Sequence, residues 1–151
     1  FEFDSRYIIN DKATISVGYS SNDAELKENY FYRGTLRVAA GQDLPLTPDV
    51  KYNINLDYEV NENSFGQINY TFTDEMFNSD VFLGTREIQD SYSIVNASWT
   101  LVRGNKQLQF YVNNLTDETA ELGRNYEDYV DLITVNRPRS IGIKFSWLLD
   151  K

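Results

Sequence analysis

Residues 50–60 set Val50, Tyr52, Ile54, Leu56, Tyr58 and Val60 against Lys51, Asn53, Asn55, Asp57 and Glu59, and the alternation runs through eleven positions without an error. A period of two gathers each set on one face of an extended strand. The length adds a second constraint, because a tilted strand needs about 9–11 residues to cross a bilayer.

The same pattern recurs along the chain. Ile141, Ile143, Phe145 and Trp147 alternate with Ser140, Gly142, Lys144 and Ser146 in the last strand, which has bulky side chains on one face and an aromatic end. Phe1, Phe3, Tyr7 and Ile9 oppose Glu2, Asp4 and Arg6, with Ser5 interrupting the apolar side. Ala13 to Tyr19 alternate with Thr14 to Ser20, Ile68 to Phe72 with Gln67 to Thr71, Val95 to Leu101 with Asn96 to Thr100, and Leu108 to Val112 with Gln107 to Tyr111. Seven strands are therefore expected, at about 1–9, 13–20, 50–60, 65–73, 91–102, 107–112 and 141–147.

Between them, short and long connections alternate. Asn10-Asp11-Lys12, Asn61-Glu62-Asn63-Ser64 and Arg103-Gly104-Asn105-Lys106 are tight, whereas about 21–49, 74–90 and 113–136 are long. Every long connection thus falls at one end of the sheet, as in outer-membrane barrels with short periplasmic turns and long external loops. If the last strand runs down to the periplasm, so do those at 1–9, 50–60 and 91–102. Tyr7, Tyr58, Trp99 and Trp147 then lie near the lower ends of four apolar faces, where a lipid-interface girdle is expected.

Composition removes other classes. No run approaches the ~20 apolar residues of a spanning helix, and this says nothing against strands that hide hydrophobicity in alternation. With no cysteine and no histidine, the chain lacks disulfides, thiolate metal sites, the commonest metal ligand and the commonest general base. A net charge of −9 opposes phosphate-backbone binding, so no nucleic-acid partner is expected. The chain begins at Phe1, and the expectation is a mature protein or a piece of a longer one. Seven strands cannot close a bacterial barrel, which takes an even number of at least eight. Either Tyr30 to Ala40 supplies an eighth, or the chain is a section of a larger wall. The section is preferred, because an eighth strand there would spoil the alternation of loop lengths.

Three segments carry a resemblance. Gly41-Gln42-Asp43-Leu44-Pro45-Leu46-Thr47-Pro48 leads into the strand with Tyr58; Val112-Asn113-Asn114-Leu115-Thr116-Asp117-Glu118 follows the penultimate strand; Arg137-Pro138-Arg139-Ser140-Ile141 opens the last. They resemble the G-x-x-L-P-x-x-P, N-L-F-D and G-R-P-R-T segments of TonB-dependent outer-membrane receptors. Thr116 stands where the family has Phe, Asn136 where it has Gly, and Leu148-Leu149-Asp150-Lys151 extends past the closing aromatic. The resemblance implies an all-β fold, with residues 1–151 as the C-terminal part of a 22-stranded antiparallel transmembrane barrel, about seven to eight strands of it. It implies a plug and earlier strands outside this chain, a TonB contact made by a segment not present here, and energised uptake of a scarce nutrient, most often an iron–siderophore complex. Outer-membrane lipid, the rest of the barrel and a small-molecule ligand are the implied partners; no catalysis, cofactor or metal is implied.

Within the long loops, Tyr30, Tyr32, Arg33, Arg86, Arg124, Tyr126 and Tyr129 are the candidates to grip such a ligand by stacking and charge-assisted hydrogen bonds, beside ordinary loop packing and lipopolysaccharide contact. Asp117, Glu118, Glu121, Glu127, Asp128 and Asp131 offer oxygens for calcium, but without EF-hand spacing they read as a solvated acidic loop. Lumen-facing Glu2, Asp4, Arg6, Lys51, Asp57, Glu59 and Lys144 are expected to pair across strands. Asn69, Asn96 and Asn114 head N-x-S/T triplets, and the first two lie within strands, where glycosylation is a poor reading. Two alternatives stay open: a complete eight-stranded outer-membrane barrel of structural or adhesive role, and a soluble β-sandwich binding domain with the apolar faces meeting in a dry core.

Overall fold

The computed structural model describes residues 1–80, 85–126 and 131–149. In chain order its strands are β1 (Glu2–Asn10), β2 (Ala13–Ser21), β3 (Tyr30–Tyr32), β4 (Thr35–Val38), β5 (Val50–Asn61), β6 (Ser64–Thr73), β7 (Met76–Asp80), β8 (Thr85–Gln89), β9 (Tyr92–Arg103), β10 (Lys106–Asn113), β11 (Glu121–Tyr126), β12 (Asp131–Val135) and β13 (Ser140–Trp147). Seven form one antiparallel meander in the order β1-β2-β5-β6-β9-β10-β13. These are the seven strands the alternation marks, with ends moved by at most one residue.

Each strand pairs with its predecessor in that order, so all short turns lie at one end of the sheet and all long connections at the other. Two of the turns share one device. Asn10 Oδ1 accepts from the Lys12 amide at 2.8 Å and Asn61 Oδ1 from the Asn63 amide at 3.0 Å, the local bond by which asparagine closes a turn. Both turns carry a bulge, at Ile8/Asn10 and Glu59/Asn61. The third places Gly104 at φ +58°, a conformation that a two-residue hairpin requires and that glycine adopts without cost.

The long connections are themselves folded. β3–β4, β7–β8 and β11–β12 are separate two-stranded hairpins. Tyr30 to Ala40 therefore does not add an eighth strand to the sheet; it turns back on itself at Arg33-Gly34, both at positive φ. β1 and β13 are the two edges of the sheet and do not meet, so the small closed barrel is not what this sheet forms.

Register lines up the apolar face. Tyr7, Ile15, Leu56, Ile68, Ala97, Val112 and Ile141 form one row across all seven strands. Ile68 stays 48% exposed in mid-sheet, and Ile141, Ile143, Phe145 and Trp147 are exposed throughout. Among the described residues the buried apolar side chains are Ala13, Val38 and Ala120, while Ser64, Thr73, Asn78, Gln89 and Asn114 are buried and polar. A sandwich would reverse that balance, because its stability comes from apolar area removed from water. Here the apolar face meets no second sheet among the described residues.

Candidate functional site

The polar face carries a chain of amides. Asn69 Nδ2 donates to Asn55 Oδ1 at 2.8 Å, Asn96 Nδ2 to Asn69 Oδ1 at 3.3 Å, and the Asn114 amide to Asn96 Oδ1 at 2.9 Å. Asn55, Asn69 and Asn96 are direct cross-strand neighbours, which is why their short side chains reach one another. The three asparagines of the N-x-S/T triplets are thus all engaged in one network. The cross-strand ion pairs expected on this face do not form among the described residues. Register explains the difference: Lys51 faces Ser20 and Thr73, Arg6 faces Ser16, Lys144 faces Gln109, and Asp57 takes a 2.8 Å bond from Gln67 Nε2. Opposite charges never come to stand directly across a ladder.

At the head of β10 the ladder ends in a knot. Asn114, 3% exposed and at φ 52°, accepts from the Glu118 amide at 2.9 Å and donates to the Glu118 and Arg137 carbonyls at 2.8 and 3.1 Å. Asp117 accepts from the Arg139 amide at 3.0 Å and pairs with its guanidinium at 3.3 Å. The segment after β10 and the segment opening β13 are therefore clasped to each other. Asn136 joins them, accepting from the Ala120 amide at 2.9 Å and donating to the Glu118 carbonyl at 3.0 Å, so its carboxamide has work that the glycine of the resembling segment could not do.

A second joint ties the long connections together. Leu46, at φ 56°, donates its amide to the Phe77 carbonyl at 2.7 Å. Asn78 donates to the Arg124 carbonyl at 3.1 Å, and Gln89 to the Glu121 carbonyl. Arg124 closes the joint with ion pairs to Glu87 at 2.7 Å and Glu121 at 3.0 Å. Periodicity could not have found Asn78, Gln89 and Glu87; the signal available was two amides and a carboxylate on short strands rich in polar residues.

Of the ligand candidates, Tyr30 and Tyr32 lie on β3 and Arg33 at its turn, with the guanidinium carbon 5.2 Å from the Tyr32 ring centre. Arg124 lies on β11, committed to the joint. The side chains of Arg86 and Tyr126, and all of Tyr129, lie outside the described residues, as do those of Glu127, Asp128 and Asp131 in the acidic loop. The structure does not bring the first-loop trio and Arg124 into one sheet. Asp117 and Glu121, two of the possible calcium carboxylates, are each held by an arginine.

The interface candidates lie on β1, β5, β9 and β13. Tyr58 shares a register row with Gly66, Trp99, Phe110 and Ile143, and the Trp99 ring lies over Gly66. A barrel strand tilted by ~35–45°, at ~4.8 Å spacing and ~3.3 Å per residue, drifts by about one residue per strand at constant height. Trp147, four strands from Tyr58, lies four residues beyond Ile143, and Tyr7, two strands the other way, lies two to three residues before the row. One sense of tilt puts all three on one level, and leaves Trp99 about two residues inside it. A second aromatic group occupies the other end of the same face: Tyr52 stacks on Phe72 at 4.9 Å and Tyr70 at 5.9 Å, and Phe1 meets Tyr19 at 6.4 Å. Sequence reading missed this group, although Tyr52 stands six residues before Tyr58 and Phe1 six before Tyr7.

A meander with an exposed apolar face, a hydrogen-bonded polar face and all long connections at one end is a section of a transmembrane β-barrel wall. Solved structures agree. The chain superposes on the siderophore receptor PiuA of Acinetobacter baumannii with a TM-score of 0.76 at 23% identity, covering 95% of this chain and 20% of that one. For the ferric yersiniabactin uptake receptor FyuA of Yersinia pestis the TM-score is 0.73 at 14% identity, with 95% and 22% covered. For the ferric-catecholate import receptor Fiu of E. coli it is 0.69 at 19%, with 95% and 20% covered. The chain spans about a fifth of the length of these receptors, and at these identities the likeness is one of fold. No protein-family model matches the chain, and no curated protein matches it by sequence.

Proposed function

We propose that this chain is the C-terminal wall section of a TonB-dependent outer-membrane receptor that imports an iron–siderophore complex, without catalysis. The observation that carries the reading is the fit of 95% of the chain to the barrel of a siderophore receptor. The three segments of the resemblance add to it: two are the halves of the clasp at Asn114 and Asp117, and the third pairs through Gly41, Gln42 and Leu44 with Ala24 and Leu26 above β2. In this reading the apolar face meets lipid, the amide ladder lines the lumen, and the three hairpins stand outside the cell. Tyr7, Tyr58, Trp99 and Trp147 form the periplasmic-side girdle. The plug, the earlier strands and the TonB contact belong to sequence beyond this chain. Tyr30, Tyr32 and Arg33, together on the first hairpin, are the ligand contacts of this reading.

An antibody against residues 116–136 tests this in outer-membrane fractions. The reading expects a band several times larger than 17.5 kDa and a strain that loses growth on ferric siderophore when the gene is deleted. A band at 17.5 kDa, or undiminished growth on every ferric chelate tried, would overturn it.

A further inference from the structure

The apolar face of the seven-stranded sheet carries two charged residues, both at its short-turn end: Arg103 on β9 and Lys106 on β10. They are direct cross-strand neighbours, and like charges so placed repel unless an anion lies between them. Both are exposed, and neither has a carboxylate partner among the described residues. On its other side Lys106 pairs with Trp147, whose ring centre lies 5.1 Å from Nζ, a cation–π contact that holds the ammonium at the edge of the apolar face. The pair lies four residues, roughly 13 Å at the rise of a strand, beyond the row of Trp99 and Phe110. There the surface dips. Trp99 leans over Gly66, Ala97 is short between Ile68 and Val112, and a depression of about 780 Å³ opens, lined by Tyr58, Ile68, Trp99, Phe110 and Ile143.

Two cations at the end of the face and an apolar trough roughly 13 Å inward from them match an amphiphile with one anionic group and a long hydrocarbon tail. We propose that this end of the outward face holds one glycerophospholipid, with its phosphate between Arg103 and Lys106 and an acyl chain in the trough beside Trp99. The site rests on the membrane reading above, which puts the short-turn end at the phospholipid leaflet and not at the lipopolysaccharide one. The lipid also accounts for the paired cations, since its phosphate removes the repulsion between them.

Native mass spectrometry of the intact protein that contains this chain, folded in detergent, tests the site with dioleoyl phosphatidylglycerol, dioleoyl phosphatidylcholine and lipid A as probes. One phosphatidylglycerol should be retained in preference to the other two. The double variant Arg103→Gln with Lys106→Gln should weaken it roughly thirtyfold, from about fivefold losses at each charge. Ala97→Leu, which fills the trough, should weaken it as well while the folded barrel keeps its heat-modifiable gel mobility. Unchanged phosphatidylglycerol binding in the double variant overturns the site. A preference for lipid A that the double variant abolishes overturns the choice of leaflet. A protein that stays folded and monomeric without detergent would instead overturn the membrane reading on which the site depends.

Discussion

The sheet and the three hairpins at its long-connection end are built on different physics. In the sheet each side chain's partner is two residues away on its own strand or directly opposite on the next, so a period of two organises both faces. In the hairpins and the clasp, stability comes from side chains gripping backbone at irregular separations: Asn114 to Arg137, Asn78 to Arg124, Gln89 to Glu121. A sheet with two unlike faces must repeat; a knot need satisfy only the few groups it buries.

The comparison breaks most sharply at Leu56, in the central row of the apolar face. Leu56→Lys should cost ~2–4 kcal/mol of stability in a bilayer, whereas Asp57→Lys, one residue along on the polar face, should cost well under half of that. Urea unfolding from phospholipid vesicles measures both, and equal costs would mean that the two faces do not meet different solvents.

Asn114 gives the next largest effect. Asn114→Ala strands the Glu118 amide and the Arg137 carbonyl beside a residue 3% exposed, while the Glu118 carbonyl keeps its bond from Asn136, and each unsatisfied buried group costs ~1–3 kcal/mol. Hydrogen exchange should show lost protection at residues 114–120 and 136–140, with β5 and β6 unchanged. If β5 and β6 lose protection equally, the clasp is part of the wall and not a separate unit.

Gly142 sharpens the same contrast inside the sheet. A Cβ there would run into the Tyr111 ring, which lies across the glycine from the neighbouring strand. Gly142→Val should destabilise by ~1–3 kcal/mol through overpacking, and Tyr111→Ala should relieve most of it in the double variant. A double variant no better than Gly142→Val would mean that the glycine serves its own backbone and not the ring.

These differences explain what could be read from residues alone. All seven wall strands were legible because a sheet with one apolar and one polar face forces alternation that no loop need obey. Ser5 and Gly66 blur it only locally. That Tyr7, Tyr58, Trp99 and Trp147 share the apolar face was legible too, although the register offsets between them were not, since those belong to the sheet and to no single strand. The hairpins were not legible. β3 and β7 are three and five residues long, too short for a period to rise above chance, and Tyr30 to Ala40 mimicked a wall strand because aromatic and branched residues suit any strand. The absence of ion pairs on the polar face was beyond reach for a similar reason. Charges alternate into the right face by sequence, but which charge stands opposite which is decided by turn geometry and bulges at Ile8/Asn10 and Glu59/Asn61. The departures at Thr116 and Asn136 looked alike; only the clasp separates them, since Asn136 holds Ala120 and Glu118 and nothing in the structure explains Thr116.

Arg124 is where the smallest energetic effect carries the most information. Its place in a long loop suggests a ligand contact, and it is found bonded to Glu87 and Glu121 with about a quarter of its side chain exposed. Partly exposed ion pairs contribute ~0.2–1 kcal/mol, so Arg124→Gln should barely move global stability. It should still raise hydrogen exchange at residues 76–80 and 121–125, because the two hairpins lose their charged link. Ligand binding then separates the two roles through Glu87. If Arg124 grips an anionic ligand directly, Glu87→Gln removes its competitor and should tighten binding, while Arg124→Gln weakens it. If Arg124 serves the ligand only by holding the hairpins together, both variants break the same joint and both weaken binding. Titration of a ferric siderophore into the intact protein, with each variant in turn, distinguishes them by the sign of the Glu87→Gln effect alone.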